Sequence, residues 1–289
     1  MALTKQEWAA LEQKAHELRS LCLDTTHWAG SGHIGGGLSC MDMLTILYYK
    51  YLNLSEDPNW EDRDRFVLSK GHAGIAWAPV LVSRGYNDPE QLKTFNLTGS
   101  KMGMHLDANK VDGVDASTGS LGHGISIALG MALAARVQKK DWWTYTILGD
   151  GECDEGQVWE AAMAAAHHKA TKLVTFVDRN LCMIDGPTEE VMALEPFADK
   201  WRAFGFLVKE VDGANLDELD DAIAFAKANT TDQPVCIIAN TKKGAGIKAI
   251  EGDYVWHYGA MDDAKYAEAK ASLQAYYQAR LARAEKEGK

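Results

Sequence analysis

Two apolar runs and the segment between them constrain this chain most. Residues Trp142-Trp143-Thr144-Tyr145-Thr146-Ile147-Leu148 have the composition of a buried strand, and so do Leu173-Val174-Thr175-Phe176-Val177. Residues 156–169 between them are patterned as a helix. A strand, helix and strand of this length form a βαβ unit, whose crossover is right-handed and leaves the two strands parallel. Both strands then end at one edge of the sheet. Gly149-Asp150-Gly151 lies just past the first end and Asp178-Arg179-Asn180 just past the second. If the strands are neighbours, Asp150 and Asn180 sit side by side.

The same alternation extends along the chain. Helical spacing marks 5–28, with Trp8, Leu11, Ala15, Leu18 and Cys22 on one face, and a second helix is expected from about 39 to 51. A glycine-rich loop is expected at 30–37, a short strand at 65–68, and irregular glycine-bearing loops over 85–118. A helix of small residues follows from Gly122. The last third offers a strand at 206–211, a helix at 215–228, a strand at 235–240 and an amphipathic helix at about 262–284. The expected fold is α/β, a parallel twisted sheet of about five or more strands with helices on both faces. No linker or repeat divides it, so one domain over 1–289 is expected.

A carboxylate and an amide oxygen are hard ligands suited to Mg²⁺, with Ca²⁺ or Mn²⁺ as alternatives, but two protein oxygens do not fill an octahedron. Backbone carbonyls, water and ligand phosphates would complete it. Gly149 and Gly151 let the backbone approach a diphosphate, and the start of helix 156–169 adds free N–H groups. The plain alternative is a solvated Asp-Gly turn and an unrelated loop asparagine.

Further motifs bear on that choice. Ser31-Gly32-His33, Ser69-Lys70-Gly71-His72, Ser117-Thr118-Gly119-Ser120-Leu121-Gly122 and His257-Tyr258-Gly259-Ala260 stand around the Gly-Asp-Gly…Asn pair. Together they resemble the N-terminal, diphosphate-binding half of the transketolases, which use thiamine diphosphate. The resemblance covers residues from about 28 to 261. It implies that the metal is held by Asp150, Asn180 and the main-chain carbonyl of Cys182. It implies cofactor contacts from His72, Gly119, Ser120, Leu121, Gly151, Glu155, Asn180 and His257, with Glu155 at the contact between the two active sites of the assembly. His33, His257 and His105 are implied to face the ketose hydroxyls, where imidazole can donate and accept protons near neutrality. Arg179 departs from the commonest motif, which has asparagine there, and no role is expected for it.

Full-length transketolases are more than twice this long. The resemblance therefore implies the diphosphate-binding subunit of a split enzyme that transfers a two-carbon ketol unit. Its partner would be a second chain carrying the pyrimidine site, in an assembly of two copies of each. Two alternatives remain open at this point: the α subunit of a 2-oxo acid dehydrogenase, and a non-catalytic thiamine-diphosphate-binding module.

Other function classes are disfavoured. A net charge of −11 argues against nucleic acid or an anionic membrane as partner. Five cysteines without Cys-x-x-Cys spacing fit a reduced, cytoplasmic setting with no zinc site. Gly30-Ser31-Gly32-His33-Ile34-Gly35 matches a dinucleotide fingerprint, but a helix precedes it where that motif needs a strand. His167-His168 are adjacent helical residues about 100° apart, which cannot readily chelate one ion.

Overall fold

The computed structural model describes residues 3–286. In chain order, the helices that open the fold are α1 (Lys5–Ala29), α2 (Ile34–Ser39) and α3 (Met41–Ile46), the last running into a π turn at Leu47–Tyr51. Then come β1 (Arg65–Leu68), α4 (Gly74–Ser83), α5 (Gly124–Val137), β2 (Thr144–Gly149), α6 (Gly156–His167) and β3 (Leu173–Arg179). The last part holds α7 (Thr188–Val191), α8 (Phe197–Ala203), β4 (Leu207–Asp212), α9 (Leu216–Ala228), β5 (Val235–Asn240) and α10 (Asp263–Lys286). Thr4 starts α1 with a reciprocal cap: its hydroxyl accepts the Glu7 N–H, and the Glu7 carboxylate accepts the Thr4 N–H at 2.9 Å.

The five strands form one parallel sheet in the order β1-β2-β3-β5-β4. Period-two alternation sends neighbouring residues to opposite faces. Tyr145, Ile147, Val174, Phe176 and Ile237 enter a core shared with α1, α3, α4 and α9. Leu148, Leu173, Val177 and Ile238 enter a second core with α5, α6 and α8. The parallel sheet covered on both faces is therefore as expected, with five strands. At the far end α10 docks on α1 through Arg280, whose guanidinium binds the buried carboxylates of Glu12 and Asp42. Among the described residues no helix is long and apolar enough to cross a membrane.

Three local expectations need correction. The glycine-rich segment 30–37 is not all loop, because α2 begins at Ile34. Its glycines are there for packing: a Cβ on Gly35 would lie 2.5 Å from the Trp256 carbonyl oxygen. The single helix expected over 39–51 breaks at Cys40, whose ψ is 8°, next to Ser39, whose hydroxyl donates to Asp178 at 2.6 Å. Strand 173–177 runs two residues further, so Asp178 and Arg179 belong to β3 rather than to the loop after it. Charged residues extend the strand because each, itself buried, finds counter-charges on its own face of the sheet: Lys70 for Asp178, and Glu189 with Glu195 for Arg179.

Candidate active site

Gly149 on β2 pairs with Asp178 on β3, and the Asp150 N–H donates to the Asp178 carbonyl at 3.2 Å. The two strand ends are thus direct neighbours. The Asp150 carboxylate is buried and accepts the N–H of Leu181 at 2.7 Å and of Gly151 at 2.9 Å. Asn180 turns its amide nitrogen to Asp178 Oδ2 (3.1 Å), and its Oδ1 accepts the Cys182 N–H (3.1 Å). Leu181 between them takes a left-handed conformation, φ 63°.

This edge opens into a cleft of about 450 Å³. Asp150, Gly151, Glu155, Asn180 and Cys182 line it together with His33, His72 and His257, and so do Gly119 and Leu121. The three imidazoles form a triangle with centroids 5.0–5.1 Å apart. Segments more than 200 residues apart in sequence supply it. They are joined by an antiparallel bridge in which Gly32 and Gly259 exchange N–H···O bonds of 3.0 Å. Ser120 and His105 are not among the residues lining the cleft. Ser120 lines an adjoining depression with His123 and Ile127. His105 lies against Gly119, where an added Cβ would come within 3.3 Å of its ring.

Charge in the cleft is uneven. Burial, reinforced by Asp178, pushes the Asp150 carboxyl up to about 6. Burial, with Lys70 nearby, draws Lys243 down to about 8. Lys243 is 2% exposed, and among the described residues no carboxylate lies within ion-pair distance of it. Its Nζ instead meets His257 Nδ1 at 2.9 Å. An ammonium can only donate, so Nδ1 accepts and the neutral ring carries its proton on Nε2. Burial and neighbouring positive charge lower His33 to about 4 and His257 to about 3, so both are neutral at pH 7. His72 is lowered well below its ordinary value for the same reasons, and burial lowers His105.

Four participants escaped the sequence reading. Lys70 lies inside the Ser-Lys-Gly-His motif; its buried ammonium binds Asp178 and the Gly36 carbonyl (2.6 Å). Glu152, buried behind the Gly-Asp-Gly turn, accepts the N–H of Gly122 (2.9 Å) and Gly149 (3.0 Å) and the Ser69 hydroxyl. It thereby ties three of the motif loops together. Lys243 follows the end of β5, so inspection of every strand end at the carboxyl edge would have flagged it. The fourth, Arg179, fills the buried space beside Asp150.

The site thus has a buried carboxylate only loosely matched by positive charge, with Arg179 at 3.5 Å, an ammonium short of negative charge, and a buried imidazole nitrogen, His33 Nδ1, with no hydrogen-bond partner. A divalent cation carrying a diphosphate supplies both missing charges, so the residues fit such a group. Met183 packs against Gly151, where an added Cβ would come within 3.0 Å of the Met183 Cβ; a larger residue would crowd this wall of the cleft. Among the described residues no three His, Cys, Asp or Glu side chains form a metal cage. The expected ligand set of one carboxylate, one amide oxygen and one main-chain carbonyl has a different make-up.

An open parallel sheet with such a cleft at its carboxyl edge defines a diphosphate-binding α/β domain. The chain belongs to the transketolase family: residues 11–281 match the family described as "Transketolase, thiamine diphosphate binding domain". A 6-deoxy-6-sulfo-D-fructose transketolase subunit from Clostridium sp. (strain MSTE9) is 42% identical over 265 residues, covering 91% of this chain and 96% of that one. An apulose-4-phosphate transketolase subunit from Phocaeicola vulgatus is 40% identical over 262 residues, covering 90% and 92%. The transketolase structure from Campylobacter jejuni superposes with a TM-score of 0.85 at 31% identity, covering 91% of this chain and 42% of that one. The chain therefore spans less than half the length of the solved transketolases it matches.

Proposed function

We propose that this chain is the diphosphate-binding subunit of a heteromeric transketolase that moves a two-carbon ketol unit from an anionic ketose to an aldose. The observation that carries the reading is that the buried Asp150 carboxylate and the buried Lys243 ammonium, which among the described residues has no carboxylate within ion-pair distance, line one cleft. Its place as one half of a two-chain enzyme is supported by relatives matched over 92–96% of their own length that are themselves named subunits. The whole of 1–289 would form one domain, in a cytoplasmic assembly of two copies of this chain and two of a pyrimidine-binding partner. The five unpaired cysteines are in keeping with that compartment.

In this reading Asp150, the Asn180 amide oxygen and the Cys182 carbonyl hold Mg²⁺, with Ca²⁺ or Mn²⁺ able to replace it. His72, Lys243, Gly119, Leu121 and Gly151 surround the diphosphate of thiamine diphosphate, Ser120 contacts the cofactor only through the adjoining depression, and Glu155 faces the second site of the assembly. When bound, the cofactor supplies the electron sink for the ketol transfer. His33, which keeps a ring nitrogen free of protein partners, takes the proton of the donor's C3 hydroxyl, while His257, whose Nδ1 accepts from Lys243, donates a hydrogen bond to that oxygen through its Nε2–H. Lys243 helps depress both rings, and it is the charge that a diphosphate would offset, which raises their basicity toward the working range. His105, beside Gly119, holds the C1 hydroxyl.

The test is an assay of this chain together with the polypeptide encoded next to it, with thiamine diphosphate and Mg²⁺. Phosphorylated and sulfonated ketoses are offered as donors, and 2-oxo acids in a parallel series. Ketol transfer is expected from the complex, with none above background from either chain alone. Turnover by this chain alone, or decarboxylation of 2-oxo acids without ketol transfer, would overturn the proposal.

A further inference from the structure

Arg179 is the last residue of β3, and strand alternation turns it to the face opposite Asp178. There its guanidinium is 3% exposed. One nitrogen donates to Glu189 Oε1 at 2.7 Å and to Glu195 Oε1 at 2.9 Å. The other reaches Thr188 Oγ1 at 3.4 Å and Asp150 Oδ2 at 3.5 Å, while the plane lies 5.1 Å from the Phe197 ring centroid. The carboxylates it gathers hold further backbone in turn. Glu189 accepts the N–H groups of Leu194 (3.2 Å) and Glu195 (3.3 Å), and Glu195 accepts that of Phe197 (2.8 Å).

All these groups except Asp150 belong to the segment that follows the Asn180 turn. Leu194 and Phe197 anchor the far end of the segment in the core, but its tip, Met183 to Asp185, lines the cleft, and there Met183 meets the Gly151 wall while Ile184 is 61% exposed. Hydrophobic burial therefore contributes little to holding the tip. What holds it is the short bridge between Cys182 and Pro187, together with the polar bonds that converge on one guanidinium.

We propose that Arg179 is a positioning residue that clasps segment 181–197 against the Gly-Asp-Gly turn, so that Asp150 and the Cys182 carbonyl stand in place before a metal diphosphate arrives. This rests on the metal site proposed above. The clasp has an electrostatic cost, because a guanidinium beside Asp150 repels a divalent cation. The long 3.5 Å contact to Asp150, against 2.7 and 2.9 Å to the glutamates, places the main grip on the segment rather than on the metal carboxylate.

The assembled complex is titrated with Mn²⁺ in the presence of thiamine diphosphate, read by electron paramagnetic resonance. Hydrogen exchange is followed over 181–197. Arg179→Met should weaken Mn²⁺ binding about tenfold, in the range seen when outer partners of a metal site are removed, and should speed exchange at Leu194, Glu195 and Phe197. Glu195→Gln, at an exposed position away from the metal, should shift both readouts the same way by a smaller factor; it serves if the arginine variant does not fold. Unchanged Mn²⁺ affinity in both variants, or tighter binding in Arg179→Met, would overturn the clasp. Absence of Mn²⁺-dependent cofactor binding in the wild-type complex would instead overturn the metal site on which it rests.

Discussion

Replacing Asp150 with alanine is expected to abolish divalent-metal-dependent binding of thiamine diphosphate by the assembled complex, a loss well beyond about 100-fold given what outer partners alone contribute. The neighbouring carboxylate, Asp178, is fully buried and engaged by Lys70, Ser39, Thr241 and Asn180. The same variant should leave the cofactor-free protein no less stable. With its carboxyl pushed up to about 6 by burial, ionised Asp150 is a cost to the fold near neutrality until a cation arrives. Calorimetric titration and thermal melting of one preparation check both halves. A variant that melts far below wild type would show that Asp150 holds the fold together rather than a ligand.

Lys243→Met is expected to trade stability against binding in the same sense. The ammonium titrates at about 8 when folded against an ordinary 10.5. Its folded value is depressed, so the fold prefers the neutral amine. The stability associated with this group is full above 10.5 and is lost as pH falls through 8. At pH 7 the charged lysine therefore costs on the order of 3 kcal/mol. Removing it should raise the melting temperature of the cofactor-free protein by roughly 3 °C or more at pH 7, and the gain should shrink as pH is raised toward 10. Diphosphate affinity should fall about 10- to 100-fold through loss of a buried charge-assisted contact. A melting temperature that drops at pH 7, with affinity unchanged, would contradict this role for Lys243.

The readable part of the molecule was the part governed by local pattern plus crossover handedness. Val174, Phe176, Ile147 and Leu148 are buried on both faces of the sheet, and continuous apolar runs announce that kind of strand. With β2 and β3 parallel neighbours, Asp150 and Asn180 fall at one sheet edge and line one cleft. Pattern failed where tertiary charge pairing overrides composition. Asp178-Arg179 reads as loop because both residues are charged, yet Lys70 on one face and Glu189 with Glu195 on the other keep both in the strand. The Gly35-Gly36-Gly37 run reads as loop for its glycines, yet it is helical, and at Gly35 and Gly37 the neighbours approach too closely for a side chain. The convergence of His33, His72 and His257 came from resemblance, since nothing local in the sequence specifies the bridge between Gly32 and Gly259. Lys243 is not marked out by the sequence because a basic residue just past a strand end ordinarily points to water, and Arg179 shows there only as a departure from the motif, with nothing local to indicate its carboxylate partners.

The most direct test of the metal–diphosphate clamp is an anomalous-scattering map from crystals of the assembled complex grown with Mn²⁺ and thiamine diphosphate. The proposed site requires one peak, within roughly 2.0–2.4 Å of the Asp150 carboxylate, the Asn180 amide oxygen and the Cys182 carbonyl, and touching the diphosphate. A diphosphate seated in the cleft with no metal at those three oxygens, or a metal bound elsewhere, would contradict it.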